Sequence, residues 1–181
     1  MTWRKILEWD VAQSERMRLL DPKSIWFRWA AFFAHTGDSW FWLIGLSVVW
    51  LVSDGPWHTR AALLALISVL LAVFVLGIKF TVRRRRPEGE WGAIYRNTDP
   101  HSFPSGHASR AAMLAVMAVG LGPTWFGILL VLWAPLVCLA RVSTGVHYIS
   151  DVIVGFVLGL IVGWIGLELT PLLIQSLPFL F

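Results

Sequence analysis

The sequence predicts an all-α, polytopic membrane helical bundle of about five spans, preceded by an amphipathic helix lying on the membrane surface. Three observations carry this prediction. The 181 residues are 57% hydrophobic with a mean hydropathy of +0.68, far above an ordinary soluble domain. Several apolar runs approach the roughly 20 residues needed to cross a hydrocarbon core. Of the twelve tryptophans, Trp40, Trp42, Trp50, Trp57, Trp91 and Trp125 stand near the ends of apolar runs, where interfacial rings settle. No linker divides the chain, so one membrane-embedded domain is expected over 1–181.

Residues 2–20 read as the surface helix. Trp3, Ile6, Leu7 and Met17 fall on helical spacing with charges between them, and Asp21-Pro22 ends the element. The stretch 24–35 is apolar but too short to span and contains Arg28; His35-Thr36-Gly37-Asp38 breaks it. Positions 1–36 are therefore assigned to the surface and 39–168 to the transmembrane core. The five spans fall at about 39–53, 60–82, 105–121, 124–142 and 150–168. Ser53-Asp54-Gly55-Pro56 and Gly122-Pro123 are the tight turns, and Pro135 should kink the fourth span. The tail 169–181 is apolar, broken by Pro171 and Pro178, and is expected to lie against the bundle or interface.

The start does not read as a signal peptide, because Arg4 and Lys5 are followed by Glu8 and Asp10 with no clean apolar core. Cys138, the single cysteine, cannot form a disulfide within the chain. A pI near 9.8 does not point to nucleic acid. The basic residues gather in the first 28 positions and in Lys79–Arg96, beside spans, where such clusters set topology or meet anionic headgroups. That layout conflicts with an outward-facing site: by the positive-inside rule the face carrying these clusters belongs in the cytoplasm.

The span count has a geometric consequence. The second span ends, and the third begins, on one side of the bilayer; the fourth returns to that side and the fifth starts there. Three polar clusters therefore share a face. They are KFTVRRRRP, with Lys79 and, after six residues, Arg86-Pro87; Pro104-Ser105-Gly106-His107; and ARVSTGVHYISD, with Arg141, His147 and Asp151. A lysine and two arginines make an always-charged anion site whose guanidinium forks suit phosphate oxygens. Ser105-Gly106 opening a helix adds backbone N–H groups and the positive end of the helix dipole.

His147 and Asp151, four apart, can stack on one helical face. A carboxylate taking the Nδ1 proton leaves Nε2 bare as a nucleophile, and His107 on another helix is placed to protonate a departing oxygen. Charge stabilisation, nucleophile and acid together are what phosphoryl transfer needs. No carboxylate cluster or Cys/His spacing suggests a metal, so neither metal nor cofactor is expected. Gly155, Gly159 and Gly163 continue the His147–Asp151 line as a small-residue ridge, and Ala108, Ala111, Ala112 and Ala115 give the third span a similar face. These helices should therefore pack together and bring His107 within reach of His147.

The three clusters resemble the signature of the type 2 phosphatidic acid phosphatase superfamily, which also includes vanadium haloperoxidases. One position departs: Ala140 stands where the family has serine. The resemblance implies that His147 becomes the phosphohistidine, Asp151 orients it and His107 is the acid. Lys79, Arg86, Arg141, Ser105 and the Gly106 amide would hold the phosphate. It further implies a small bacterial-type enzyme of the prokaryotic plasma membrane. Its partners would be the bilayer and a lipid phosphate: phosphatidic acid, phosphatidylglycerol phosphate or a polyprenyl phosphate or diphosphate. Two rivals stand beside it, vanadate-dependent peroxidase chemistry and an idle lipid-binding or transport protein. Arg83, Arg84 and Arg85 read most simply as a headgroup-facing run, Arg110 as reaching for headgroups, and His35 and Asp38 as a helix break and cap. His101 and Ser102 read as loop residues with an open role at the substrate.

Overall fold

The computed structural model describes residues 2–88 and 99–181, and among these described residues seven helices follow one another and the one β-bridge is the isolated pair Arg85–His101. Trp91 and Arg96 lie outside the described residues. The helices are α1 (Trp3–Met17), α2 (Ile25–Thr36), α3 (Ser39–Val52), α4 (Pro56–Val82), α5 (Gly106–Leu121), α6 (Thr124–Ser143) and α7 (Ile149–Ser176). α4, α6 and α7 are each long and apolar enough to cross a membrane. α3 and α5 are shorter, at 14 and 16 residues. α5 does not need lipid-matching length, because Ala108 to Ala115 are all buried inside the bundle.

Helix starts follow local chemistry. Ser24 caps α2 through its hydroxyl and the Trp26 N–H, and Ser105 caps α5 through the Ala108 N–H. Pro56 sits in the first turn of α4, where its missing N–H costs nothing, so this helix begins at Pro56 and not at 60 as the sequence suggests. α7 likewise runs through Pro171 to Ser176, so the break expected at Pro171 is absent. α6 continues across Pro135. Beyond α7, the carbonyl of Leu180 accepts a 2.8 Å hydrogen bond from the Trp50 indole, and Phe181 packs against the core.

The core is built by α4, α5 and α6. Ile67, Leu71 and Val75 of α4, Met113, Leu114 and Met117 of α5, and Leu130, Ala134 and Val137 of α6 form one buried cluster. Outward the bundle is apolar. Val73, Leu132 and Trp164 are 65%, 65% and 61% exposed, a surface that only hydrocarbon would cover without cost. α7 is the extreme case, since just 28% of its most apolar window is buried inside the protein.

Candidate active site

The two histidine motifs meet because α5 and α7 pack backbone to backbone, the most extensive helix pairing in the molecule. A Cβ on Gly155 would lie 2.5 Å from the Ser105 carbonyl oxygen, and one on Gly163 would lie 2.9 Å from Val116 Cβ. At Gly159 an added Cβ would run into the Ser109 carbonyl oxygen. The glycine ridge thus faces α5, as the spacing predicts. At the top of this seam the Ser105 N–H donates to the Asp151 carbonyl at 2.9 Å, locking the start of one helix to the other. The Phe103–Pro104 peptide leading into α5 is cis.

His147 is reached through a reversal after α6. Gly145 takes φ 70°, a left-handed conformation that side chains disfavour, and the His147 N–H returns to the Arg141 carbonyl at 3.2 Å. The ring is 1% exposed. Its Nε2 lies 3.2 Å from Arg86 Nη1. A guanidinium has donors only, so Nε2 is the acceptor and the ring proton sits on Nδ1. Burial, reinforced by the charges of Arg86, Arg141 and Lys79, holds the His147 pKa well below the ordinary histidine value and keeps the ring neutral. Nδ1 faces Asp151 Oδ2 at 3.6 Å, close enough for attraction and too long for a hydrogen bond. The Asp151 oxygens are engaged by Arg84 Nη1 on Oδ1 at 2.7 Å and by the Tyr148 N–H on Oδ2 at 2.9 Å.

His107 is held differently. Its Nε2 donates to Asp38 Oδ1 at 2.7 Å, across 69 positions of sequence. The other Asp38 oxygen meets His35 Nδ1 at 3.1 Å. Burial raises the Asp38 pKa, but hydrogen bonds and charge from His107 and His35 outweigh it and hold the carboxyl at about 2. Arg110 secures the turn carrying Asp38, donating to the Gly37 carbonyl at 2.5 Å and to the Ser39 hydroxyl.

Lys79 Nζ and Arg86 Nη2 converge on one oxygen, Asp99 Oδ2, at 2.6 and 2.7 Å. Lys79 also donates to the His101 carbonyl at 2.8 Å. A cavity of about 160 Å³ opens beside them, with Lys79, Asp99, Gly106, His107, Arg110 and His147 among its lining. Its other wall is apolar, formed by Leu71, Ala72, Val75 and Leu76 of α4. Arg86, Ser105 and Arg141, buried to within 6% of full cover, stand behind that lining. The Ser105 hydroxyl is occupied as the α5 cap. Ala140 is buried, and its carbonyl takes the Thr144 hydroxyl at 2.8 Å.

Several residues do not sit as the sequence suggests. Arg84 is not in a solvated run: its side chain is 18% exposed and joins Asp10 at 2.7 Å, Asp151 and the Ser150 hydroxyl, while Arg83 and Arg85 are exposed. Arg110 is buried and reaches inward, not to headgroups. Asp38 is more than a cap, and Ser102 is fully buried against the Arg84 backbone. Asp10 and Asp99 carry roles that no motif announced. For Asp10 a signal existed: with Ser14 it falls in the register of Ile6, Leu7 and Met17, where a surface helix should be apolar. For Asp99 none did. Among the described residues no group of three His, Cys, Asp or Glu side chains forms a cluster suited to a metal ion.

The PAP2 superfamily profile matches residues 60–174. An undecaprenyl-diphosphatase of Sulfolobus acidocaldarius is 32% identical over 118 residues, covering 62% of this chain and 57% of that protein. A decaprenylphosphoryl-5-phosphoribose phosphatase of Mycobacterium tuberculosis is 44% identical over 96 residues, 51% of this chain and 50% of that protein. The chain thus spans 50–57% of the length of these curated relatives. Among solved structures, a transmembrane PAP2-type phosphatidylglycerolphosphate phosphatase from Bacillus subtilis aligns with a TM-score of 0.73 at 24% identity, covering 92% of this chain and 87% of that one. Aquifex aeolicus LpxE aligns at 0.65 with 26% identity, covering 85% and 93%.

Proposed function

This chain belongs to the PAP2 superfamily, and from that premise we propose that it is a membrane phosphatase that removes phosphate from a lipid through a phosphohistidine at His147. The observation that carries this reading is the meeting of both histidines, Lys79 and the Gly106 helix start around one cavity whose remaining wall is apolar. A phosphate entering there replaces the Asp99 carboxylate on Lys79 and Arg86. It also draws Arg86 off the nucleophilic nitrogen. Arg141 adds fixed positive charge from behind, and the Gly106 amide lies at the positive end of α5.

Nε2 of His147 then attacks phosphorus. The P–O bond to the lipid breaks, and the leaving oxygen takes a proton from His107. Because His107 Nε2 is tied to Asp38, Nδ1 is the nitrogen that delivers this proton. The phosphoimidazole carries positive charge that Asp151 stabilises, and the resting 3.6 Å gap from its Nδ1 to Asp151 closes into a hydrogen bond. Water, deprotonated by the now neutral His107, attacks phosphorus next; the P–N bond breaks and inorganic phosphate leaves.

The substrate class is a lipid phosphomonoester or diphosphate, with phosphatidic acid, phosphatidylglycerol phosphate and polyprenyl phosphates as candidates. Relatives described as acting on undecaprenyl diphosphate and decaprenylphosphoryl-5-phosphoribose favour a polyprenyl carrier. The protein would reside in a prokaryotic plasma membrane. The experiment is phosphate release from a panel of these lipids in detergent or vesicles, wild type against His147→Ala. Release that vanishes in the variant is expected; equal release by both, or none from any lipid phosphate, contradicts the proposal.

A further inference from the structure

Resting on that function, we propose that Asp10 of the surface helix is a positioning residue for the nucleophile, acting through Arg84 and Asp151. Asp10 has a side chain only 6% exposed, although its neighbours Trp9 and Val11 are 56% and 40% exposed. Its oxygens accept from three donors. These are the Ser150 N–H at 3.0 Å, the Ser150 hydroxyl at 2.5 Å and Arg84 Nη2 at 2.7 Å. Asp10 therefore terminates the first turn of α7 from a different helix, 140 positions away.

Arg84 is the hinge of the relay. Its plane lies over the Tyr148 ring at 4.0 Å, and its two terminal nitrogens are divided between carboxylates, Nη2 on Asp10 and Nη1 on Asp151. This division matters for the charge on Asp151. A guanidinium shared between two carboxylates neutralises each only in part, so Asp151 keeps negative charge for Nδ1 of His147. Without Asp10, the whole charge of Arg84 falls on Asp151 and its pull is exerted at Oδ1, away from the nucleophile. The imidazole then gains less stabilisation as it becomes positively charged. Substrate phosphate contacts none of these groups directly, so binding should change little while the chemical step slows.

α1 has a second tether that does not pass through Arg84: the Ser14 hydroxyl accepts from the Ile149 N–H at 2.9 Å. It supplies the control for simple anchoring of the helix. Steady-state phosphate release and single-turnover phosphorylation of residue 147 are measured, with thermal unfolding, for wild type and variants. Asp10→Asn should lower kcat about tenfold with KM within about twofold, the loss expected for one charged hydrogen bond. Asp10→Glu should recover most of that loss. Arg84→Lys, which keeps charge but cannot serve both carboxylates with one planar fork, should show the same kcat-selective loss if Asp10→Asn fails to fold. Adding Asp10→Asn to Arg84→Gln should cost no further kcat beyond about twofold, since both cut one chain. Ser14→Ala should keep kcat within about twofold of wild type.

Wild-type kcat in Asp10→Asn or Arg84→Lys, a Ser14→Ala loss equal to that of Asp10→Asn, or losses that multiply in the double variant would overturn the relay. An active wild type with any of those outcomes leaves the proposed function standing and removes the relay alone. A wild type that hydrolyses no lipid phosphate removes both.

Discussion

The two histidines of the site differ in the partner that holds Nε2. His107 is bound tightly to a carboxylate, 2.7 Å from Asp38, and Asp38 stays ionised down to about pH 2. His147 has its carboxylate at 3.6 Å, with burial, then Arg86, Arg141 and Lys79, holding the ring neutral. One ring turns an Nε2 proton to a carboxylate, the other turns an Nε2 lone pair to a guanidinium. In the proposed reaction the same residue type serves once as acid and once as nucleophile, according to which groups stand nearest.

Exchanging leaving groups should split the two most sharply. His147→Ala should lose on the order of 10⁴ in kcat with every substrate, as removal of a nucleophile does. His107→Ala should form the phosphoenzyme about 10²–10⁴ more slowly with a lipid alkoxide but recover that step when the leaving group needs no proton. First-turnover release of the leaving group from a lipid phosphate and from an activated aryl phosphate measures both. Equal recovery by the two variants would erase the distinction.

The carboxylates come next. Asp151→Asn should slow turnover on the order of 10³, because the amide neither neutralises the phosphoimidazole nor fixes its Nδ1 proton. Asp38→Asn should cost less, about 10–100-fold. It should also shift the alkaline limb of the kcat profile to lower pH, since His107 then loses the anion that favours its protonated form. For His147 the depressed pKa has the opposite consequence. The free enzyme should keep kcat/KM as pH falls through about 6.5, the ordinary histidine value. A His147-dependent fall centred there would mean that the surrounding cations do not act as described.

Gly159→Ala probes the seam that brings the two rings together. Its Cβ would meet the Ser109 carbonyl, so α5 and α7 must part, with an expected cost of about 1–3 kcal/mol in stability. Thermal unfolding in detergent reads it, and an unchanged midpoint would mean that the helices separate freely. Chelation should have the smallest effect of all. In the proposed reaction Lys79, Arg86 and Arg141 supply the charge stabilisation, so EDTA should leave phosphate release unchanged.

The sequence reveals the helices and the placement of His147 beside Asp151 well, and for a local reason. His147 and Asp151 are four apart on one helix, and the glycine steps at 155, 159 and 163 report which face that helix buries. The surroundings of His107 are only half legible. His107 is visible at a helix start, but its partner Asp38 lies 69 positions away and resembles any helix cap. The arginine run shows why composition alone misleads. Four adjacent residues share one chemistry, yet Arg84 and Arg86 turn inward while Arg83 and Arg85 face out, a choice made by where Asp10, Asp151 and Asp99 stand in space. Long-range pairing of this kind leaves no spacing to read.

The contrast between the two rings is tested most directly by quenching a single turnover of ³²P-labelled substrate and locating the label. Wild type should carry phosphate on Nε2 of His147. His107→Ala, given an activated leaving group, should accumulate it there, because the water that releases it lacks its base. Product formation with no label at residue 147 would contradict the account.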